Sequence, residues 1–427
     1  MRLLKRAYQI LIQEGFVSLF IKIIEWRKER LFQDFLTKKE WFKAANYGEK
    51  LVRIFPRKIE YYQGVARCYK ELKQDNLATS TLERGLKKII SMPEIMERLE
   101  KKLKPIFFLE SNYVYLGGEQ NLGCIDHKVK VNGNLERYFT KISTRSGFEK
   151  EKLFYLNMYG NFPELKKITP KLISFTEFVE ENLILITTEK IDGEVTEINF
   201  QNIGEIIQAH KIIASVSFEK LKDYIPEPDF DGEFKLIYDA YPHHPISALH
   251  SFVSIHKRAT NQQLFELVFK RMKDLGYSFD SYLLLKSLKK VIFDWSLFDR
   301  IKPDIHYSLL HGDFNNHNML KDENTGKLYI IDWGNIFIGP RWIDIAGLFG
   351  QLKLPFHIVK DEYLFNQGVS GNFEPIEKIF FIYTLITTWF IVFTRSEFDN
   401  LHDLYIRPAV EMIESLALAM EGKRLGI

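Results

Sequence analysis

Cysteine is nearly absent from this chain. Only Cys68 and Cys124 occur in 427 residues. They fall in different predicted domains and make no metal pattern, which excludes a disulfide framework and leaves a reducing cytoplasm as the expected setting. Charge of one sign is missing too: 59 Lys and Arg stand against 56 Asp and Glu, for a net charge of +3. That balance argues against general nucleic-acid binding, which needs a clustered basic face. Long apolar runs are scarce. The longest uncharged stretch, Ile379 to Thr394, falls short of the roughly 18 to 20 residues that cross a bilayer, and it reads as a buried helix. Near the start, Glu14, Lys22 and Glu25 interrupt the apolar run that a secretory signal needs. Aromatic residues, by contrast, are plentiful. With 35 Phe, 20 Tyr and 46% hydrophobic residues, the chain should bury a substantial core and has room for more than one ordinary domain.

One segment carries chemistry. His311-Gly312-Asp313-Phe314-Asn315-Asn316-His317-Asn318 is followed by Tyr329-Ile330-Ile331-Asp332-Trp333. Met319 to Lys321 and Lys327 to Ile331 read as two strands joined by the turn formers Asp322-Glu323-Asn324-Thr325-Gly326. Asn318 and Asp332 lie equally far from Thr325, so antiparallel pairing would set them side by side, able to grip one ion. Asp313 precedes Asn318 by the interval of the loop H-x-D-x-x-x-x-N, in which the Asp accepts a hydroxyl proton and the Asn holds a metal during phosphoryl transfer.

With Gly339-Pro340-Arg341-Trp342-Ile343-Asp344-Ile345-Ala346 downstream, these motifs resemble those of the aminoglycoside phosphotransferase and choline kinase superfamily. The resemblance implies an α+β, bilobal protein-kinase-like fold with ATP or GTP and Mg2+ as cofactors. By it Asp313 is the catalytic base, Asn318 and Asp332 are the magnesium ligands, His311 supports the loop, and Asp344 is a buried carboxylate bracing it from behind. Gly334-Asn335 departs from the acidic residue that many members carry there, and this bears on the acceptor side.

Such a fold needs an upstream nucleotide lobe. Tyr113 to Leu116 alternates as a strand and leads into Gly117-Gly118-Glu119-Gln120-Asn121-Leu122-Gly123, where Gly118 and Gly123 would let backbone amides approach phosphates. His127 to Val131 and Arg137 to Ile142 read as a hairpin turning at Asn132-Gly133-Asn134. Lys141 stands where the family's phosphate-binding lysine would be. Glu149 fits its partner on the next helix, with Glu151 as the substitute. Leu183 to Gly193 resembles the strand and hinge between lobes, with the backbone of Thr188, Glu189 and Lys190 expected to hold the adenine.

The first hundred residues read as an all-α helical-repeat domain. Ala44 and Ala78, and Leu51 and Gly85, recur at 34 residues, and Tyr62, Ala66, Tyr69, Ala78 and Leu82 match the large and small positions of a tetratricopeptide-like repeat. Such helices bind a protein partner or dock on a neighbour; an ordinary helical bundle is the other reading. Residues 1–30 are basic and amphipathic, which suits either packing within the domain or peripheral contact with the inner face of a membrane. They are also similar to the openings of bacterial envelope-polysaccharide proteins. The expected domains are 1–104, 105–192 as the nucleotide lobe and 193–427 as the large lobe, whose segment 194–305 would supply the acceptor pocket. An acidic cluster there, Glu227, Asp229, Asp231, Glu233 and Asp239, could meet a cationic or polyhydroxylated acceptor or be a solvated loop. His243-His244 lacks a third ligand at metal spacing. The expected activity is phosphorylation of a hydroxyl on a small molecule or saccharide; an antibiotic phosphotransferase and a pseudokinase scaffold working through its helices are the alternatives.

Overall fold

A computed structural model describes residues 24–116, 121–145, 147–198, 202–225, 283, 286–294, 297–364, 373–392 and 402–425. Two compact units result: residues 1–149 with 171–190, and residues 150–170 with 191–427. The expected amphipathic start up to residue 23, Gly118, the acidic cluster and His243-His244 lie outside the described residues.

The first unit opens with α1, residues 24–37, then α2 (Trp41–Ile54), α3 (Ile59–Glu71), α4 (Asp75–Leu86) and α5 (Met92–Lys102). The starts of α2 and α4 are 34 residues apart and those of α3 and α5 are 33 apart, so a helix pair recurs. Small residues let these helices close up: Ala44, Ala66 and Ala78 are fully buried. A Cβ on Gly48 would come within 2.3 Å of Val65, and one on Gly85 within 2.6 Å of Tyr62. The residues that repeat in sequence are therefore points of helix contact.

Five antiparallel strands follow, β1 (Phe107–Val114), β2 (Asn121–Val131), β3 (Asn134–Thr144), β4 (Leu172–Phe178) and β5 (Leu183–Glu189), in the order β1-β2-β3-β5-β4. The β2–β3 turn falls on Asn132 and Gly133, both at positive φ, with Val131 paired to Asn134. This is the two-residue turn that Asn-Gly favours. Side chains alternate between the sheet faces. Ile125 pairs with Thr140, which pairs with Thr187, while Cys124 pairs with Lys141, which pairs with Ile186. Ile125, Ile142 and Leu185 therefore share one face, and they join Leu82, Leu86, Ile95 and Leu99 in one hydrophobic core. The boundary expected at residue 104 separates helices from strands, but one core runs through both.

The second unit takes up α6 (Glu149–Leu153) from its second residue, and the helix runs on as a π-helical turn, Phe154–Met158. It adds β6 (Gly193–Val195), α7 (Ile203–Ala214), β7 (Tyr307–Leu310), β8 (Met319–Asp322), β9 (Leu328–Ile330), β10 (Phe337–Pro340), α8 (Ile343–Gln351), α9 (Pro375–Val392) and α10 (Arg407–Leu425). The strands form a three-stranded sheet, β6-β8-β9, and a pair, β10-β7. The described part of the long uncharged stretch lies in α9, whose Ile379, Phe381, Ile382, Tyr383, Leu385 and Trp389 are fully buried. Among the described residues no helix is long and apolar enough to cross a membrane.

Candidate active site

The loop leaving β7 is shaped by one glycine and one buried acid. Gly312 has φ +78, and a Cβ there would stand 2.2 Å from the Asn335 carbonyl oxygen, so only glycine fits. The His311 amide donates to Asp344 Oδ2 at 2.6 Å and the Gly312 amide to Asp344 Oδ1 at 3.2 Å. Asp344, in the first turn of α8, is fully buried. Burial pushes its carboxyl up to about 7, the nearby Asp313 charge adds to the rise, and the two backbone amides oppose it. The turn that presents Asp344 is itself anchored: Arg341 makes a two-pronged ion pair with buried Glu377 of α9, both contacts at 2.6 Å.

His311 is a support, as expected, and its tautomer follows from its partners. Nε2–H donates to the Ile331 carbonyl at 2.9 Å, and Nδ1 accepts from the Asp313 amide at 3.3 Å. Its ring and that of Phe154 both pack on Trp333, at 4.8 Å for His311 and stacked at 4.0 Å for Phe154. Trp333 Nε1 donates to the Ile330 carbonyl. The loop and the hairpin are thus fastened to one another through a buried indole.

Asp313 is fixed on both carboxylate oxygens. Asn315 Nδ2 donates to Oδ1 at 2.6 Å, and Asn318 Nδ2 donates to Oδ2 at 2.9 Å. Asn318 also donates to the Asp313 carbonyl at 2.9 Å. With its NH2 group engaged, Asn318 keeps its amide oxygen for another partner, and an amide oxygen is a ligand that magnesium takes.

The hairpin register differs from expectation by one residue. Met319 pairs with Ile330, and the Ile331 amide donates to the Asn318 carbonyl at 3.0 Å, so Asn318 faces Ile331. Asp332 is the next residue on, exposed, in the left-handed conformation with φ +65. The shift arises in the turn: Asp322 Oδ1 accepts from the Asn324 and Thr325 amides and the Thr325 hydroxyl, and Gly326 at φ +69 closes it. Among the described residues no group of three or more His, Cys, Asp or Glu could hold a metal by itself. A magnesium ion completed by substrate phosphates needs only one or two protein carboxylates. One amide oxygen and one carboxylate at the open end of a hairpin fit that chemistry.

In the first unit, Lys141 lies on the sheet face opposite the helices, directly across from Cys124. Its Nζ is 6.0 Å from the centre of the Phe148 ring. Glu149 is exposed on α6, whereas Glu151 is buried. Gly123 and Glu189 have partners within the sheet. The Gly123 amide donates to Asn121 Oδ1 at 2.9 Å, and the Tyr113 ring closes over its α-carbon. Glu189 pairs with Tyr138, away from the Lys141 face, and its carboxylate accepts from the Lys171 amide at 2.8 Å. The Glu189 and Lys190 amides, expected to face adenine, donate to the carbonyls of Lys171 and Arg137. The ladder reaches further than the sequence suggested and uses those donors. Asn315, Phe154 and Glu377 escaped sequence reasoning. Asn315 carried a signal, an amide two residues beyond the motif's Asp; Phe154 and Glu377 act from far along the chain and carried none.

Residues 259–361, about a quarter of the chain, match the profile of the phosphotransferase enzyme family (APH). No curated protein matches the chain. Among solved structures, an AMP-bound spectinomycin phosphotransferase is 14% identical, with a TM-score of 0.39 over 74% of this chain and 97% of its own. An ethanolamine kinase from Plasmodium vivax is 16% identical, with a TM-score of 0.40 over 80% of this chain and 94% of its own. A choline kinase from Streptococcus pneumoniae is 15% identical, with a TM-score of 0.35 over 76% and 99%. Asp313, Asn318, Asp332 and Asp344 all lie within the segment that matches this family profile.

Proposed function

We propose that this protein transfers the terminal phosphoryl group of ATP or GTP to a hydroxyl of a small molecule or saccharide. The observation that carries the reading is Asp313, whose two carboxylate oxygens are each held by an asparagine amide. A carboxylate held that way is oriented in advance to align a hydroxyl and accept its proton. Asn318 ties this base to the hairpin end, so any shift in one is felt by the other. Asn318 and Asp332 would hold magnesium, which would bridge the nucleotide phosphates and offset the charge that develops on them. Lys141 is the proposed phosphate-binding cation. Glu149 is its proposed acidic partner, with Glu151 as the substitute. An envelope glycan as acceptor rests only on the resemblance of residues 1–30.

Thermal unfolding with ATP, GTP or ADP, with and without magnesium, tests the reading on the native chain and on Asp332→Ala. Nucleotide at 100 times its dissociation constant should stabilise the native chain by about 2.7 kcal/mol. The shift should need both magnesium and Asp332. No shift with any nucleotide would overturn the proposal; a positive result directs a screen of sugars, choline-like amines and glycans as acceptors.

A further inference from the structure

The helices of the first unit spend their apolar face on the sheet that carries Lys141, on the side Lys141 does not occupy. They are fastened at both edges of that sheet. At one edge, Gln63 of α3 donates through Nε2 to the Asn121 carbonyl at 3.4 Å. Tyr115, the residue after β1, and Leu122, near the start of β2, are buried with the helices. The Tyr113 phenol lies near enough to Glu83 of α4, and that of Tyr115 near enough to Arg67 and Glu71 of α3, to feel their charges. At the other edge, Arg98 of α5 pairs with Glu181 at 2.8 Å and lies over the Phe178 ring, while Lys102 donates to the Phe175 carbonyl.

What is held at the first edge is a bulge. The β2–β3 register shifts between Asn121 and Gly123, after which Cys124 stands across from Lys141. Three contacts lock that shift. Tyr113 Oη donates to the Leu122 carbonyl at 2.6 Å, Asn121 Oδ1 accepts from the Gly123 amide, and the Tyr113 ring occupies the space where a Cβ of residue 123 would be, 2.3 Å away. A bulge leaves one residue unpaired and interrupts the ladder locally, so the register beyond it depends on the contacts that hold it, and a one-residue slip turns every following side chain to the other face. Slippage here would move the strand that flanks Lys141.

We infer that the N-terminal helices are an internal brace for the strand beside Lys141, and that Tyr113 and Gln63 are positioning residues for nucleotide phosphates. The inference rests on the phosphotransferase reading for its second half only. The helices then serve the nucleotide site from behind, through the sheet, rather than as a platform for another protein.

Tyr113→Phe keeps the ring over Gly123 and removes only the hydrogen bond to Leu122, and Gln63→Ala removes the contact from α3. Both are measured in the full chain, with thermal unfolding to show that they fold. Amide hydrogen exchange at residues 122–125 and 140–142, without nucleotide, should quicken roughly three- to tenfold in Tyr113→Phe, the worth of one neutral hydrogen bond in a local opening. Affinity for magnesium ATP should fall about fivefold for the same reason, while affinity for adenosine, which has no phosphates for Lys141, stays the same. Native exchange rates in both variants would overturn the brace. Faster exchange with unchanged ATP affinity, or with ATP and adenosine weakened alike, would overturn the positioning role. A native chain that binds no magnesium nucleotide would overturn the phosphotransferase reading, and the exchange rates would then decide the brace alone.

Discussion

The loop around Asp313 and the sheet around Lys141 solve the same problem with different materials. Each must hold a short piece of strained backbone next to a charged side chain. At Gly312 the holding groups are polar and close in sequence: Asp344 lies 32 residues on, His311 is adjacent, and Asn315 and Asn318 are within five residues of Asp313. At Gly123 the nearer lock is Tyr113, but the layer behind it comes from helices much earlier in the chain, with Gln63 58 residues before Asn121. A locally hydrogen-bonded loop fixes orientation sharply and has little apolar mass of its own. A sheet face covered by helices has the mass, and its precision depends on a register that apolar contacts alone do not set. The two regions should therefore fail differently when perturbed.

The largest expected effect falls on chemistry in the loop. Asp313→Asn keeps the size of the side chain, gives up one of its two accepted hydrogen bonds and cannot take the proposed role of accepting the hydroxyl proton, so turnover should fall by roughly 10² to 10⁴. Nucleotide-dependent thermal stabilisation should persist, because the proposed metal ligands Asn318 and Asp332 remain. Near-normal turnover, once an acceptor is found, would remove Asp313 from the role of base.

Next comes the loop backbone. Gly312→Ala forces a side chain into positive φ and against the Asn335 carbonyl oxygen, which has no flexible end to move aside. Such strain costs about 3 kcal/mol. Chemical denaturation should register it as a lower midpoint with an unchanged slope. A variant as stable as the native chain would show that the loop relaxes easily, and the contrast with the braced sheet would disappear.

That contrast also explains which parts were legible in the sequence. The hairpin, the Asn132-Gly133 turn and the buried α9 could be read because their determinants lie within a turn or a single run, whereas the pairing of Asp344 with the loop was an expectation from the family resemblance. The hairpin register was missed by one residue because Asp322 builds its own hydrogen-bonded turn, which moves the centre from Thr325 to a point between Asn324 and Thr325. Gly123 was read as a phosphate cradle because glycine announces backbone freedom without saying what fills the space, and the filler, Tyr113, is visible only once β1 pairs with β2. The partner of Glu189 was hidden for a similar reason: nothing local shows that the Lys171 amide, just before β4, takes its carboxylate. The shared core of helices and sheet depends on contacts between distant segments, and apolar periodicity predicts that a face is buried without naming what covers it.

The smallest expected effect sharpens the comparison from the side of the sheet. On the helix-facing side, Ser111, His127, Thr140 and Thr187 form a hydrogen-bonded row across four strands, at 2.8, 2.9 and 2.8 Å. Burial depresses His127 to about 4, opposed by the charge of Asp126. The unfolded chain therefore binds a proton on this imidazole at a higher pH than the folded chain does. Stability from His127 is fully present above its ordinary pKa of about 6.5 and is lost as pH falls from there to about 4, by about 3 kcal/mol in all. Asp344 runs the other way: its raised pKa means that stability is present at low pH and lost as pH rises through about 7. Acid should thus loosen the sheet at His127 while favouring the loop at Asp344. His127→Gln can still donate and accept within the row, and it should lose less stability than the native chain between pH 6.5 and 4.5. The difference between the two denaturation series isolates His127 from His210, which burial depresses to about 3 in the second unit and which both chains retain. Parallel series would mean that the row accepts a charged imidazole at no cost, and that the sheet, like the loop, is held by polar contacts rather than by the apolar layer behind it.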